Sequence, residues 1–268
     1  PRQRSVDNIL AQARELLKFQ DRIGLVSAAV SDHFAIDHLA TELRVLGARI
    51  SVSSMRVDPI SEPLVRALAE SGTRTLTIAP EAGSERLRRA ISKTQTEDDV
   101  LRAVDLAAQY DFAQIKLYFM LGLPDEQDPD VQAIVDLSLA CAARFSRQVT
   151  VNITPYVPKA HTPFQRLAQT RAKEVKRRLA LVERGLRKHQ IGVKSESPAW
   201  AEIQGTLARG DRRLAEALLA VERPSPAAWR RALGAAGLSL PELLSGRPTG
   251  EPLPWSFIQT GARSQPQS

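Results

Sequence analysis

The feature that most constrains this chain is an alternation of short apolar runs with helical patterns over residues 1–155. The apolar runs predict five buried strands, at 22–30, 48–56, 73–79, 114–121 and 148–154. Helices are predicted at 4–18, 36–46, 61–70, from about 84, 96–110 and 129–144. A spacing of roughly 25 to 40 residues is typical of βαβ units in a parallel sheet. The sequence therefore predicts an α/β fold, as an α/β barrel or a doubly wound sheet.

Composition narrows the possible classes of protein. With 268 residues, 43% of them apolar, the chain is long enough to bury a core. No apolar run is long enough to span a membrane, and the first residues do not resemble a signal peptide, so we expect a soluble, cytoplasmic protein. The net charge of +7 gives weak support to a polyanionic partner such as RNA.

Metal sites built from this chain are not expected. Its single cysteine, Cys141, excludes an internal disulfide and any cysteine-based site. That residue lies in a predicted helix, where a buried apolar role is expected. The four histidines are not at metal-ligand spacing: His33, His38, His161 and His189.

The most informative stretch is 76–94, with the sequence LTIAPEAGSERLRRAISKT. It predicts a buried strand, a tight loop containing Gly83 and a helix with Ser84 as its N-cap. Glu81 would then lie at the carboxyl end of the strand, close to the N–H groups of the helix start. Ligands bind at that end of parallel strands, although an ordinary βα turn would have the same pattern.

Polar residues follow every predicted strand, and the ends of parallel strands share one edge. The candidates are Ser31, Asp32, Ser54, Arg56, Glu81, Ser84, Gly122 and Asn152. Arg56 can bind a carboxylate through two N–H groups, while Asp32 or Glu81 can accept from an ammonium or a ribose hydroxyl. The set suits a zwitterionic, ribose-bearing ligand, and structural hydrogen bonds at strand ends are the alternative. No catalytic residue is assigned.

The second half of the chain has a different composition. Residues 166–188 predict a long basic helix, whose charged face is either solvated or directed towards RNA. Further helices are predicted at 199–207, 213–221, 226–236 and 240–244. The interpretation is a barrel domain at 1–165, a helical extension at 166–262 and a disordered tail at 263–268. The LARGDRR segment at 207–213 either stabilises this extension or binds a phosphate.

Several of these segments together resemble a known family. PEAGSERLRRAISK, followed one βα unit later by KLYFMLGLPDE, resembles the radical S-adenosylmethionine (radical SAM) superfamily. The branch with an N-terminal cobalamin-binding domain is the most similar, and the likeness extends through VNITPYVPKAHTPFQ, LARGDRR and PLPWSFIQTG. It implies a partial (β/α) barrel that lacks its first strand in this chain, followed by a small helical appendage.

The resemblance also implies a ligand and a role for each candidate. A [4Fe–4S] cluster would cleave S-adenosylmethionine (SAM) reductively to a 5′-deoxyadenosyl radical. Ser31 and Asp32 would lie near the methionine amino group, and Arg56 near its carboxylate. The methionyl or ribose part would contact Glu81 and Ser84, and the adenine would pack on Leu121-Gly122. Asn152 and Ser54 belong to the same SAM-binding set.

The chain departs from the family at one place. The CxxxCxxC loop that holds the cluster is absent, as are the first strand and any cobalamin domain. We therefore expect the C-terminal fragment of a longer enzyme, inactive by itself, with cobalamin as a further candidate cofactor and flavodoxin or ferredoxin as electron donor. A barrel that never carried the loop, and a non-catalytic basic RNA-binding or scaffolding module, are the alternatives. The substrate stays open, with RNA or a nucleotide-like molecule slightly favoured by charge.

Overall fold

The computed structural model describes residues 3–52 and 55–258. The chain divides into two compact units. The first comprises Pro1–Phe119, Pro129–Asn152 and Val182–Lys194, and the second comprises Met120–Asp128, Ile153–Leu181 and Ser195–Ser268. The predicted boundary at 165 and the disordered tail stay predictions; the tail lies outside the described residues.

The elements follow one another as the alternation predicts. The strands are β1 Arg22–Leu25, β2 Arg49–Val52, β3 Thr75–Glu81, β4 Gln114–Leu121, β5 Gln148–Pro155 and β6 Gly192–Ser195. The first helices are α1 Val6–Leu16, α2 Ile36–Val45, α3 Glu62–Glu70, α4 Glu85–Ala90, α5 Glu97–Gln109 and α6 Asp128–Arg144. They are followed by α7 Ala172–Arg187, α8 Pro198–Arg209, α9 Leu214–Ala220, α10 Pro226–Ala235 and α11 Leu240–Leu244.

The strands form parallel sheets. Strands β1 and β2 pair in parallel, and a second sheet has the order β3-β4-β5-β6. Strand β3 pairs with β4 in parallel, with Thr75 opposite Gln114 and Thr77 opposite Lys116. The α/β prediction is thus confirmed. Among the described residues, no helix is long and apolar enough to cross a membrane.

The predictions were wrong in three respects. The sixth strand, Gly192–Ser195, was missed because it is short and has no buried apolar alternation. The long basic helix begins at Ala172 rather than at residue 166. The first strand ends at Leu25, well before the predicted residue 30, and a 3₁₀ turn forms at Val30–Asp32. The second strand ends at Val52, and residues 53–54 of its predicted range lie outside the described residues.

Side-chain caps start most of the helices where the sequence places a serine or threonine. Ser5, Ser61 and Ser84 accept hydrogen bonds from the backbone N–H groups three residues later. Thr96 and Asp99 form a reciprocal capping box at the start of α5. These local bonds explain why the helix starts were predictable to within a residue or two.

The second sheet has two unlike faces. Leu76, Ile78, Ile115, Leu117 and Val151 are buried on one face and belong to the core of the first unit. The alternate positions of the same strands, which lie on the opposite face, carry mainly polar side chains that are less buried. The apolar face therefore holds the core, and the polar face is available for other uses.

The second unit has its own core. It is built from α8, α9, α10 and α11 around Ile203, Leu214, Ala217, Trp229, Ala232, Leu233, Leu238 and Leu243. Glu202 is 3% exposed beside it and accepts from the Arg171 Nε, the Arg230 Nη2 and the Ala172 N–H. These bonds hold the start of α7 to α8.

Gly83 sets the distance between the loop after β3 and helix α6. A Cβ at this position would lie 2.3 Å from the Ile134 nitrogen and 2.5 Å from the Asp130 carbonyl oxygen. Both are backbone atoms, which cannot move aside cheaply. Only glycine permits this approach.

We expect Gly83→Ala to destabilise the protein by about 3 kcal/mol, because the added methyl group must displace the α6 backbone. Gly192→Ala is the matched control, since nothing lies within 4 Å of its added Cβ. Urea unfolding of both variants measures the difference. Equal midpoints for the two variants would contradict the close packing of Gly83.

A second prediction concerns the charge of Glu202. Burial opposes its ionisation, but the bonds from Ala172 N–H, Arg171 and Arg230 outweigh it and lower the pKa of the carboxyl. A carboxyl whose pKa is lower in the folded state stabilises the protein at pH values above its unfolded-state pKa. This stabilisation is lost as the pH falls through the folded-state pKa. Glu202→Gln should therefore cost about 3 kcal/mol at pH 7 and progressively less below about pH 4.5. Urea unfolding at pH 7 and pH 3 measures the loss in stability, with the exposed Glu222→Gln as control. An equal loss at both pH values would contradict the lowered pKa of Glu202.

Candidate functional site

The loops after β1 and β2 bring three predicted residues together. The Arg56 Nε lies 3.3 Å from the Asp32 Oδ1, and the Arg56 backbone N–H donates to the Ser31 Oγ at 2.7 Å. The Arg56 and Asp32 side chains are 60% and 47% exposed. Because the pair is open to solvent, its mutual attraction is weak and both groups can turn to a ligand.

Glu81 ends β3 with a backbone φ of 68°. Its side chain lies 3.4 Å from the Lys93 Nζ, measured from the Glu81 Oε1. A left-handed conformation is unusual for a non-glycine residue and marks a position held by its surroundings. The Glu81 carboxylate is thus directed by the backbone and paired with one cation.

A cleft of about 110 Å³ lies beside these two groups. Arg56 and Asp58 line it from the loop after β2, Ala79 from β3, and Lys93 and Gln95 from the loop after α4. One residue of each pair, Arg56 and Lys93, therefore lines the same cleft, whereas Asp32 and Glu81 are not among its lining residues. Sequence reasoning singled out Arg56 and Glu81 and gave Lys93 no role, because no pattern shows that the chain after α4 returns to the site.

A buried arginine holds this loop system in place. Arg88 is 1% exposed, and its guanidinium donates to the carbonyl oxygens of Ala82, Gly83 and Gln95. Burial lowers the pKa of Arg88, which nevertheless keeps its charge. The sequence reading did not assign Arg88 to the site, since arginines in an amphipathic helix usually face solvent.

Ser84 has structural partners in this structure. Its Oγ accepts the Leu87 N–H as the N-cap of α4 and donates to the carboxylate of Asp130, which also pairs with Arg86. These bonds fasten the start of α4 to the start of α6. The predicted SAM contact of Ser84 stays a prediction.

The remaining predicted residues are placed as follows. Ser54 lies outside the described residues. Leu121 and Gly122 lie in the second unit, where Tyr156 N–H donates to the Leu121 oxygen and Gly122 N–H donates to the Glu126 Oε2 at 2.8 Å. Gly122 has a φ of 87°, which favours glycine. Asn152, on β5, has a buried Nδ2 without a hydrogen-bond partner among the described residues.

Part of the positive charge of the basic helix and of the distal segment is paired with carboxylates within the second unit. Arg177 pairs with Asp128 and Glu174, and Arg178 pairs with Glu126 and Glu174. The LARGDRR segment comprises the last turn of α8 and the turn before α9; within it Asp211 pairs with Arg213, while Arg209 is buried. Fewer of these cations are therefore available to a polyanion than their number in the sequence suggests.

A protein-family model matches the first half of the chain. The model of the radical SAM superfamily matches residues 1–138, just over half of the 268 residues. The chain belongs to the radical SAM superfamily. This places the cleft, which is built from residues 55–95, inside the matched region.

A curated relative matches most of the chain. The uncharacterised protein MJ0966 of Methanocaldococcus jannaschii is 36% identical over 220 residues, which are 81% of this chain and 48% of the relative. The chain therefore spans about half the length of the curated relative it matches. The similarity also reaches beyond residue 138.

Two solved structures are similar to parts of this chain. SuiB of Streptococcus suis, bound to precursor peptide SuiA, gives a TM-score of 0.47 at 12% identity over 73% of this chain and 43% of SuiB. Elp3 of Methanocaldococcus infernus, with an N-terminal deletion, gives 0.46 at 12% identity over 87% and 59%. At these scores neither likeness carries an argument about this chain.

Membership in the radical SAM superfamily implies SAM and a [4Fe–4S] cluster. The residues of this chain do not fit the cluster, because one cysteine cannot hold four irons. Cys141 is fully buried, and burial raises the pKa of its thiol to about 12. Across residues 3–52 and 55–258, no three histidine, cysteine, aspartate or glutamate side chains lie close enough to bind a metal ion. Arg56, Asp32 and Glu81 do suit the amino-acid and ribose parts of SAM.

The position of Arg88 generates a prediction about the loop that carries Glu81. Arg88→Met leaves the Ala82, Gly83 and Gln95 carbonyls without their shared donor, so we expect a loss of about 3 kcal/mol in stability. Amide hydrogen exchange should also accelerate over residues 81–95.

The neighbouring Arg89→Met is the matched control, because Arg89 is 72% exposed and pairs only with Glu85 in the described part of the chain. It should change neither stability nor exchange. Equal exchange profiles in the two variants would show that Arg88 does not hold the loop.

Proposed function

We propose that the cleft beside Arg56 and Lys93 receives SAM, and that the longer protein to which this chain belongs cleaves it reductively to a 5′-deoxyadenosyl radical. The strongest support is that residues following β2 and residues on and after β3 line the same cleft. When bound, the cluster supplies the electron; none of the residues of this chain performs that step.

The proposal gives each side chain a role. Arg56 binds the methionine carboxylate through its guanidinium, and Ser31 and Asp32 accept from the ammonium group. Glu81 accepts from a ribose hydroxyl, and Lys93 fixes the direction of the Glu81 carboxylate. We interpret the fold that carries this site as a partial (β/α) barrel whose first strand lies outside this chain.

Further parts of the proposal come from the resemblance alone. Leu121-Gly122 packs against the adenine, and Ser54, Ser84 and Asn152 complete the SAM-binding set. A cobalamin-binding domain and the cluster loop precede this chain in the longer protein, and flavodoxin or ferredoxin reduces the cluster in the cytoplasm. The substrate class is not given by these features, because one fold serves many reactions.

SAM binding tests the site directly. In equilibrium dialysis with the protein at its full natural length, we expect Arg56→Met and Glu81→Gln each to weaken SAM binding at least tenfold, about 1.4 kcal/mol, through the loss of a charged hydrogen bond. Arg44→Met and Glu85→Gln are the matched controls, since both parent residues lie outside the cleft and form exposed pairs. Equal SAM affinities in all four variants would remove the site from the proposal.

The chemistry has a separate test. The full-length protein, prepared anaerobically with its cluster, should release 5′-deoxyadenosine when dithionite is added. A preparation that contains the cluster and binds SAM but releases none would refute the reaction while leaving the site intact.

The RNA-binding alternative has less support from the structure. Arg177 and Arg178 are paired with carboxylates, whereas Lys173 and Lys176 are exposed on α7. An RNA-binding protein would lose affinity for tRNA steeply as salt rises, and Lys173→Met with Lys176→Met would reduce that slope.

A further inference from the structure

The polar face of the sheet β3-β4-β5 contains two rows of side chains that differ in their hydrogen bonding. Thr75, Gln114 and Thr150 form the first row, and Thr77, Lys116 and Asn152 form the second. Thr75 and Thr77 face Gln114 and Lys116 across the paired strands. Each row crosses three neighbouring strands within the first unit.

The first row is satisfied by its own members. The Thr75 Oγ1 donates to the Gln114 Oε1 at 3.3 Å, and the Gln114 Nε2 donates to the Thr150 Oγ1 at 3.0 Å. This row is a ladder of cross-strand hydrogen bonds, which stabilises a sheet without any ligand.

The second row lies two residues further along each strand and on the same face. The register of β4 and β5 follows from a backbone bond, since the Tyr156 N–H donates to the Leu121 oxygen. In parallel strands this bond sets Lys116 opposite Thr150 and Tyr118 opposite Asn152. The bond from Gln114 to Thr150 is therefore diagonal, and Lys116 has the same diagonal relation to Asn152, within reach of its long side chain. Thr77 is opposite Lys116 on the other side.

The second row contains donors without acceptors. The Asn152 Nδ2 is buried and makes no hydrogen bond among the described residues. Lys116 is half-buried as a residue, and its ammonium makes no ion pair or hydrogen bond within the described part of the chain. A buried amide donor without a partner costs free energy, and so does a cation that is partly removed from water. Both costs fall if an oxyanion lies over the row.

The row remains accessible from the polar face. Thr77 is exposed, and Tyr118, the next residue of β4 on this face, is 38% exposed. Ala79 lies two residues after Thr77 on β3, where the pairing with β4 becomes irregular, and it lines the cleft together with Arg56 and Lys93. The row and the cleft are therefore neighbours along one strand.

We propose that Thr77, Lys116 and Asn152 bind an oxyanion, a carboxylate or a phosphate, that belongs to the substrate. This inference deepens the proposed function, since it places a negatively charged substrate group beside the SAM cleft. It reassigns Asn152 from the SAM-binding set to the substrate. Lys116 supplies the charge, the Asn152 amide and the Thr77 hydroxyl supply directed donors, and a neutral substrate would leave the row unsatisfied.

The test uses the thermal unfolding midpoint of the full-length protein in phosphate, in acetate and in chloride of equal ionic strength. We expect a saturable rise in the midpoint with phosphate or acetate, and the stronger of the two probes identifies the oxyanion class. The rise should be lost in Lys116→Met and Asn152→Leu, and kept in Lys173→Met, whose lysine is exposed elsewhere.

The two rows should respond in opposite ways. In chloride, Asn152→Leu should leave the midpoint unchanged or raise it, because an unsatisfied amide is removed. Thr150→Val should lower the midpoint, because Gln114 loses its acceptor, and should keep the response to the probe. The proposal fails if Asn152→Leu lowers the unfolding midpoint in chloride and the midpoint of the wild-type protein is no higher in phosphate or acetate than in chloride. The row is then structural.

A final measurement separates this inference from the SAM site. Lys116→Met should bind SAM within twofold of wild type, and the phosphate or acetate response should persist in saturating SAM. A response that SAM abolishes would assign the oxyanion site to the SAM carboxylate and overturn the substrate assignment. A loss of SAM binding in Arg56→Met, without loss of the oxyanion response, keeps the two sites distinct.

Discussion

The candidate site depends on the burial of one guanidinium. Arg88 is almost fully enclosed, so the cost of removing its charge from water must be met by hydrogen bonds, and three backbone carbonyls provide them. Those carbonyls belong to the loop after β3 and to Gln95. One side chain therefore ties together both ends of the segment that carries Glu81 and Lys93, and helix α6 closes against the loop at Gly83.

The sheet β3-β4-β5 shows how one strand pattern serves two purposes. Its period of two residues places an apolar core on one face and threonine, glutamine, lysine and asparagine on the other. Parallel sheets usually have both faces covered by apolar side chains. A polar face in such a sheet therefore has a use beyond stability, and the two rows, one satisfied and one not, divide it into a structural part and a part that fits a ligand.

Much of the fold was predictable from local patterns. The strands β3, β4 and β5 were located to within two residues because they are long, β-branched and bounded by turns. The short strand Gly192–Ser195 was missed because its partly exposed residues have no apolar alternation. Arg56 and Glu81 were chosen for their place at the ends of strands. Arg88 was not assigned a role, since the sequence around it fits an ordinary amphipathic helix, and Lys93 was not, since no local pattern shows that the loop after α4 returns to the site.

The sequence alone determined the alternation of strands and helices, the helix caps and the superfamily, because each depends on residues close together in the chain or on a motif in order. The tertiary structure decided which polar groups meet. Lys93 reaches Glu81 only after a buried arginine closes a loop, and Gln114 reaches Thr150 only after strands distant in sequence pair. Contacts of that kind depend on packing and desolvation across the whole unit, and no local pattern encodes them.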